Sequence, residues 1–159
     1  MSHKTLSRLL IIAGIIACIG GCAVFFLYAP AMAHECSVMY PELSHFALPL
    51  LLYIWVIALM YGAAVFRYMR ISLRLGRNRA FCAENANDLM GIAVLLAIAG
   101  ALWFLLIFLP GEFGLDIGPA VLLFLLACMA TLAVALVAYV LSLLVRRAAA
   151  LQTENDLTI

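Results

Sequence analysis

Residues 9–29, 48–66, 91–109 and 121–145 form four runs that contain no Asp, Glu, Lys, Arg or His. No other feature narrows the possible folds so far. At 1.5 Å per residue, about 20 residues cross the roughly 30 Å hydrocarbon core of a bilayer, and each run has that reach. Hydrocarbon offers no water to backbone amides and carbonyls, so only helices and closed barrels span it. Barrel strands alternate apolar and polar side chains, whereas these runs are continuously apolar. The expected fold is therefore all-α: a single polytopic membrane domain over residues 1–159, its four transmembrane helices arranged as two hairpins. Composition agrees, with 69% of residues hydrophobic and 11% charged, against about 45–50% and about 25% in soluble domains.

Orientation follows from the basic residues. Lys4 and Arg8 precede the first run, Arg67, Arg70, Arg74, Arg77 and Arg79 lie between the second and third, and Arg146 and Arg147 follow the fourth. All nine fall on one side; the opposite loops, 30–47 and 110–120, carry Glu35, Glu42, Glu112 and Asp116 instead. The positive-inside rule puts both termini in the cytoplasm, and the expected location is the inner (cytoplasmic) membrane. Residues 1–33 begin basic and reach Ala31-Met32-Ala33, a sequence of signal-peptidase type. The apolar run before it is too long for a signal peptide, so it is expected to stay as a span. The five cysteines do not make a disulfide framework, since only Cys36 lies in an outer loop.

Shifting the sequence by 80 residues places Ile12, Ala13, Ala17, Gly20 and Pro30 on Ile92, Ala93, Ala97, Gly100 and Pro110, and Arg67 on Arg147. A parallel repeat of two hairpins would produce this. Small residues also recur at every fourth position. Ala13, Ala17 and Gly21 make one row, with Gly14, Cys18 and Cys22 beside it; Ala93, Ala97 and Ala101 make another, and Ala127, Thr131 and Ala135 a third. Membrane helices associate where small side chains let backbones approach, so these rows are expected to pack the helices together, with a subunit interface as the alternative.

Between the second and third runs, Arg67, Arg70, Arg74 and Arg77 are spaced three, four and three apart, which confines them to an arc of about 80° on a helix. The second helix is thus expected to run past the membrane with a basic stripe and to break near Gly76 and Asn78. A new helix is expected to begin near residues 82–84, with Glu84 and Asp88 favourable in its first turn. The stripe can grip lipid headgroups, receive a partner, or simply fix topology. His34, Cys36 and His45 in the first outer loop, with Glu35 and Glu42, are of metal-ligating type but match no standard spacing. No metal, other cofactor or enzymatic activity is expected, because no apolar run holds a carboxylate, histidine or lysine and no catalytic motif is present. The polar segments are too short for a DNA-binding domain, so direct nucleic-acid binding is not expected.

Two stretches carry a resemblance. One is Arg74-Leu75-Gly76-Arg77-Asn78-Arg79-Ala80-Phe81-Cys82-Ala83-Glu84-Asn85, which leads into Leu89 and Ile92; the other is the ending Glu154-Asn155-Asp156-Leu157-Thr158-Ile159. With four helices and this length, the chain resembles the bacterial membrane family called domain of unknown function 2975. Members typically show a phenylalanine, a small hydroxyl residue and a Glu-Asn pair before the third helix, and an acidic ending Asp-Leu-Thr-Ile. Cys82 departs from this pattern, standing where serine is usual; a thiol accepts hydrogen bonds poorly, which puts a capping role there in doubt. The resemblance implies encoding beside a small Xre-type helix-turn-helix regulator, and hence a cytoplasmic partner.

The function expected is that of a non-enzymatic regulator or sensor that presents its inner loop (67–90) and tail to such a partner, through Arg67, Arg70, Arg74, Arg77, Glu84 and Asn85. The alternative is a small oligomeric channel or transport component built on the small-residue faces. Membrane lipids are partners on either reading. The topology is directly testable: an impermeant maleimide applied to intact cells should label Cys36 and spare Cys82 until the membrane is broken. Labelling of Cys82 in intact cells would overturn the orientation.

Overall fold

The computed structural model describes residues 3–41, 44–77, 82–112 and 118–157, apart from the side chains of 3–4, 36, 109–112, 118–120 and 153–157. The chain runs as α1 (His3–Cys22), a π-helical stretch (Ala23–Tyr28), α2 (Ala29–Met39), α3 (Ser44–Leu75), α4 (Ala83–Glu112) and α5 (Gly118–Leu157). The first three pieces are continuous, so four helical rods are long and apolar enough to cross a membrane. Each outruns its apolar stretch. An apolar run marks what hydrocarbon can hold, whereas a helix closes its own hydrogen bonds and can continue into water until a breaker stops it. The segment expected as an outer loop, 30–47, is accordingly helical through Met39 and again from Ser44.

The π-helical stretch is explained by Pro30. Proline has no N–H, and its ring crowds the carbonyl four residues back. Widening the preceding turn relieves the crowding and shifts the ladder to i→i+5; the Ala29 amide donates to the Val24 carbonyl in this register. The Phe25 carbonyl would then need the amide of residue 30, which proline lacks. Trp55 Nε1 on α3 donates to the Phe25 carbonyl at 3.1 Å instead. A carbonyl left bare in hydrocarbon would cost several kcal/mol, so this bond ties α3 to the first span at Phe25.

Packing is serial. The first span lies along α3, α3 along α4, and α4 along α5, while among the described residues the first span makes no close backbone approach to α4 or α5, nor α3 to α5. The four-helix bundle is thus open. One core cluster joins Ala64 of α3 to Ile92, Ala93 and Leu96 of α4 and Ala135 and Ala138 of α5; a second centres on Ile57, Ala99 and Leu106. The Tyr53 hydroxyl donates to the Leu102 carbonyl at 2.8 Å and the Tyr68 hydroxyl to the Leu10 carbonyl at 3.1 Å, tying α3 to both neighbours.

The small-residue rows pack differently from the expectation. On α5 the buried series is Cys128, Thr131, Ala135, Ala138 and Ser142, steps of three and four that follow a straight seam. Strict four-residue rows drift about 40° per step, which is why Ala93 is buried on α4 and Ala97 is exposed. On α1, Ala13 and Ala17 are exposed and a Cβ on Gly21 would meet nothing within 4 Å. The contact with α3 falls on Gly14, beside Tyr68 and Met69. The 80-residue repeat is likewise not used alike by its two halves. A Cβ on Gly20 would find open space, whereas one on Gly100 would lie 2.6 Å from Leu132 Cδ2 and 2.8 Å from its Cγ.

This pair gives a test of the packing. Gly100→Leu overfills the α4–α5 seam and should cost about 1–3 kcal/mol, read as a lower thermal unfolding midpoint in detergent. Gly20→Leu should leave the midpoint of the monomer unchanged. Equal effects at the two sites would contradict the open arrangement.

Candidate functional site

The groups with chemistry gather at one end of the helices. Past its apolar run, α3 projects Arg67, Arg70 and Arg74 at helical spacing, and α4 opens with Asn85 and Asp88, one turn apart on the side facing them. The Cys82 carbonyl starts the α4 ladder, accepting from the amides of Asn85 at 3.0 Å and Ala86 at 3.3 Å. Asp88 therefore sits in the second turn, where the partial positive charge of a helix N-terminus favours a carboxylate.

Three guanidinium groups converge on that one carboxylate. Arg74 Nη1 donates to Asp88 Oδ2 at 2.5 Å and to Asn85 Oδ1 at 3.2 Å. Arg67 Nη1 lies 3.4 Å and Arg70 Nη1 3.7 Å from Asp88 Oδ1. The Asp88 side chain is 6% exposed, against 21% for Arg74, 40% for Arg67 and 47% for Arg70. Arg67 fits because Gly91 follows Asp88 by three residues: a Cβ there would lie 2.5 Å from Arg67 Nη1. On the far side of the node, Arg146 Nη2 of α5 donates to Asn87 Oδ1 at 3.2 Å. The first span joins the same end through Ser7, whose buried hydroxyl donates to the Ser72 carbonyl at 2.8 Å; Gly76 leaves room for it.

Of the residues singled out from sequence, Arg67, Arg70, Arg74 and Asn85 are thus brought together, the last buried. Arg77 lies in the turn after α3 and Glu84 at the start of α4, both exposed. The basic stripe is not a free face, because its first three members are directed at Asp88. Sequence reasoning placed Asp88 only as a good first-turn residue. Its signal was available: apart from Glu84 it is the only acid between residues 67 and 90, and it precedes the apolar run by a single turn, where an unpaired carboxylate would be costly. His34 is exposed on α2, its carbonyl accepting from Ser37 Oγ at 2.7 Å, and His45 lies beside the Phe46 ring. The Cys36 side chain falls outside the described residues. Among the described residues, no group of three or more His, Cys, Asp or Glu is placed to hold a metal ion.

A second polar set lies deeper. The Tyr61 hydroxyl bonds Thr131 Oγ1 and accepts from Trp103 Nε1 at 3.2 Å, joining α3, α4 and α5 by side chains alone. Beside it runs an open crevice of about 380 Å³, walled by Ala64, Tyr68, Leu96 and Val134. Its hydroxyls are engaged within the protein, so it offers grip to apolar groups only.

The node makes a stability prediction. Asp88→Ala leaves Arg74 without its carboxylate and three cations facing one another. Breaking a buried pair in this way costs about 3–5 kcal/mol, with the lower end expected because Arg67 and Arg70 keep contact with water. Arg70→Gln, at a half-exposed position, should cost under about 1 kcal/mol. Thermal unfolding in detergent should rank them in that order; equal midpoints would show that Asp88 does not hold α3 to α4.

Comparison with known proteins agrees with this architecture. The Bacillus subtilis (strain 168) protein called Uncharacterized membrane protein YoaS is 25% identical over 141 residues, covering 86% of this chain and 87% of the relative. No solved structure matches. Residues 31–159, from the second residue of the α2 Pro30-Ala31 step through the arginine node and all of α5, match the family described as Protein of unknown function (DUF2975). A match over that much of the sequence makes this multi-pass membrane protein a member of the DUF2975 family.

Proposed function

We propose that the protein is a non-enzymatic regulator of the bacterial cytoplasmic membrane that holds a soluble helix-turn-helix regulator through the polar extension of α5. The observation that carries this reading is the length of that helix. α5 has 40 residues, which is about 60 Å at 1.5 Å per residue, roughly twice the hydrocarbon thickness. Its apolar run ends at Val145, and beyond it come Arg146, Arg147, Leu151 and Gln152, then Glu154 and Asp156. Arg147 is exposed and Leu151 is 66% exposed. A solvated stalk that carries basic, apolar and then acidic residues offers the mixed contacts of a transient protein interface.

The arginine node supports the same assignment from the other direction. It clamps α3 to α4 at the base of the stalk, and Arg146 links the stalk to that base, so a partner bound to α5 would bear on a fixed platform. The placement of all nine basic residues at this end supports a cytoplasmic location for it. The absence of ionisable residues from the apolar runs favours a role without proton or ion relay.

A photo-crosslinking amino acid at Leu151 should capture a soluble DNA-binding regulator in cells, and the same group at Leu123, on the outward half of α5, should capture only lipid or membrane protein. Ending the chain after Gln152 should abolish the adduct without lowering the thermal midpoint, since a terminal polar segment buries little area. Adducts from Leu151 confined to lipid would overturn the proposal.

A further inference from the structure

The charges at the node do not balance. Three guanidinium groups share one carboxylate, and two of them share one of its oxygens: Arg67 at 3.4 Å and Arg70 at 3.7 Å from Oδ1. Charge-assisted hydrogen bonds of this kind close to about 2.7–2.9 Å. Arg74 alone does so, on Oδ2. Arg67 and Arg70, although directed at Asp88, are about half-exposed and keep positive charge and donor capacity to spare.

What surrounds them is apolar and uncovered. On α3, Leu52, Leu59 and Phe66 follow at seven-residue steps, all exposed, and Arg70 continues that side one turn beyond Phe66. On α4, Val94, Ile98 and Leu105 share the side of Gly91, on which the Arg67 guanidinium rests, and they too are exposed. Near the arginines the first span packs on the Tyr68–Ser72 side of α3, reaching the Leu52–Leu59 side only farther along, at Trp55, and α5 packs on the Gly100 side of α4, so Leu59, Phe66 and the α4 stripe stay exposed. Two lipid-facing stripes thus flank the α3–α4 seam and end at a pair of undersatisfied arginines, at the depth where the apolar runs give way to polar sequence.

We propose that this corner binds an anionic phospholipid, with the phosphate on Arg67 and Arg70 and the acyl chains along Leu59–Phe66 and Val94–Ile98. The surplus positive charge selects an anion, and planar guanidinium groups suit phosphate oxygens. The apolar stripes on both sides select an anion that carries acyl chains over a free phosphate or an acidic peptide. The site lies on the seam of α3 and α4 and does not depend on the α5 stalk, so the chain ending after Gln152 should retain it.

The test uses full-length protein in a neutral detergent with three probes: dioctanoyl phosphatidylglycerol, dioctanoyl phosphatidylcholine and inorganic phosphate. Native mass spectrometry should show retention of the glycerol lipid and not of the choline lipid, and phosphate should not compete. Arg70→Gln should weaken retention about fivefold, the equivalent of about 1 kcal/mol per surface charge, and Arg67→Gln combined with it should weaken it further. Arg8→Gln, an equally basic-to-neutral change on α1, should have no effect. If the double variant does not fold, Arg70→Gln decides alone, because its link to Asp88 is the longest of the three. Equal retention of the two lipids, or unchanged retention in a folded Arg70→Gln protein, would overturn the proposal. So would competition by phosphate alone, which would assign the arginines to a soluble anion.

Discussion

Hydrocarbon accepts no hydrogen bonds and donates none, and nearly every feature of this molecule answers to that. A polar group at bilayer depth must find its partner inside the protein or cost several kcal/mol. Helices meet the demand for the backbone, except where Pro30 withholds an amide. There the ladder widens into a π-helical stretch, and the indole of Trp55 takes the orphaned Phe25 carbonyl. The tyrosines of α3 obey the same rule with their hydroxyls: Tyr53 and Tyr68 donate to helix carbonyls on opposite neighbours, and Tyr61 joins Thr131 and Trp103. α3 becomes the hub because it holds the side chains that reach.

The same constraint makes the apolar effect useless for bringing helices together, since lipid is as apolar as leucine. Association then rests on shape and on polar contacts. Gly100 admits Leu132, Gly14 admits Tyr68 and Met69, and Gly91 admits a guanidinium. Where no such fit exists the helices do not close, and among the described residues α3 is the one other rod whose backbone α1 approaches closely. The row of Ala13 and Ala17, both exposed, and Gly21, beside which a Cβ would meet nothing, is therefore not part of the internal packing, although its composition is that of a packing row.

At the polar end the balance changes. Water is near enough to solvate half-exposed arginines, yet Asp88 is buried beneath them. A carboxylate in that position is stable only while cations surround it, and the cations come from a different helix. The pair of helices is thereby locked at one end by charge and along its length by small residues and hydroxyls. The end with the most polar contacts is also the end at which α3 and α5 run past their apolar stretches, so those extensions share one cross-linked base.

Much of this was legible in the residues alone. Four apolar runs free of charge determine four spanning helices, because hydrogen-bond satisfaction in lipid leaves no other solution for continuous apolar sequence. Spacing of three and four put Arg67, Arg70 and Arg74 on one face, and Gly76 marked the break after α3. Helical spacing, however, reports which residues of one helix lie together, not what another helix sets against them. That Asp88 meets all three arginines, that Gly100 packs and Gly20 does not, and that Thr131 reaches Tyr61 across α4 depend on the rotation and crossing of separate rods. Those are fixed by a few shape and polar contacts distant in sequence, and a local pattern cannot encode them because each half of the contact has the same appearance whether or not its partner arrives.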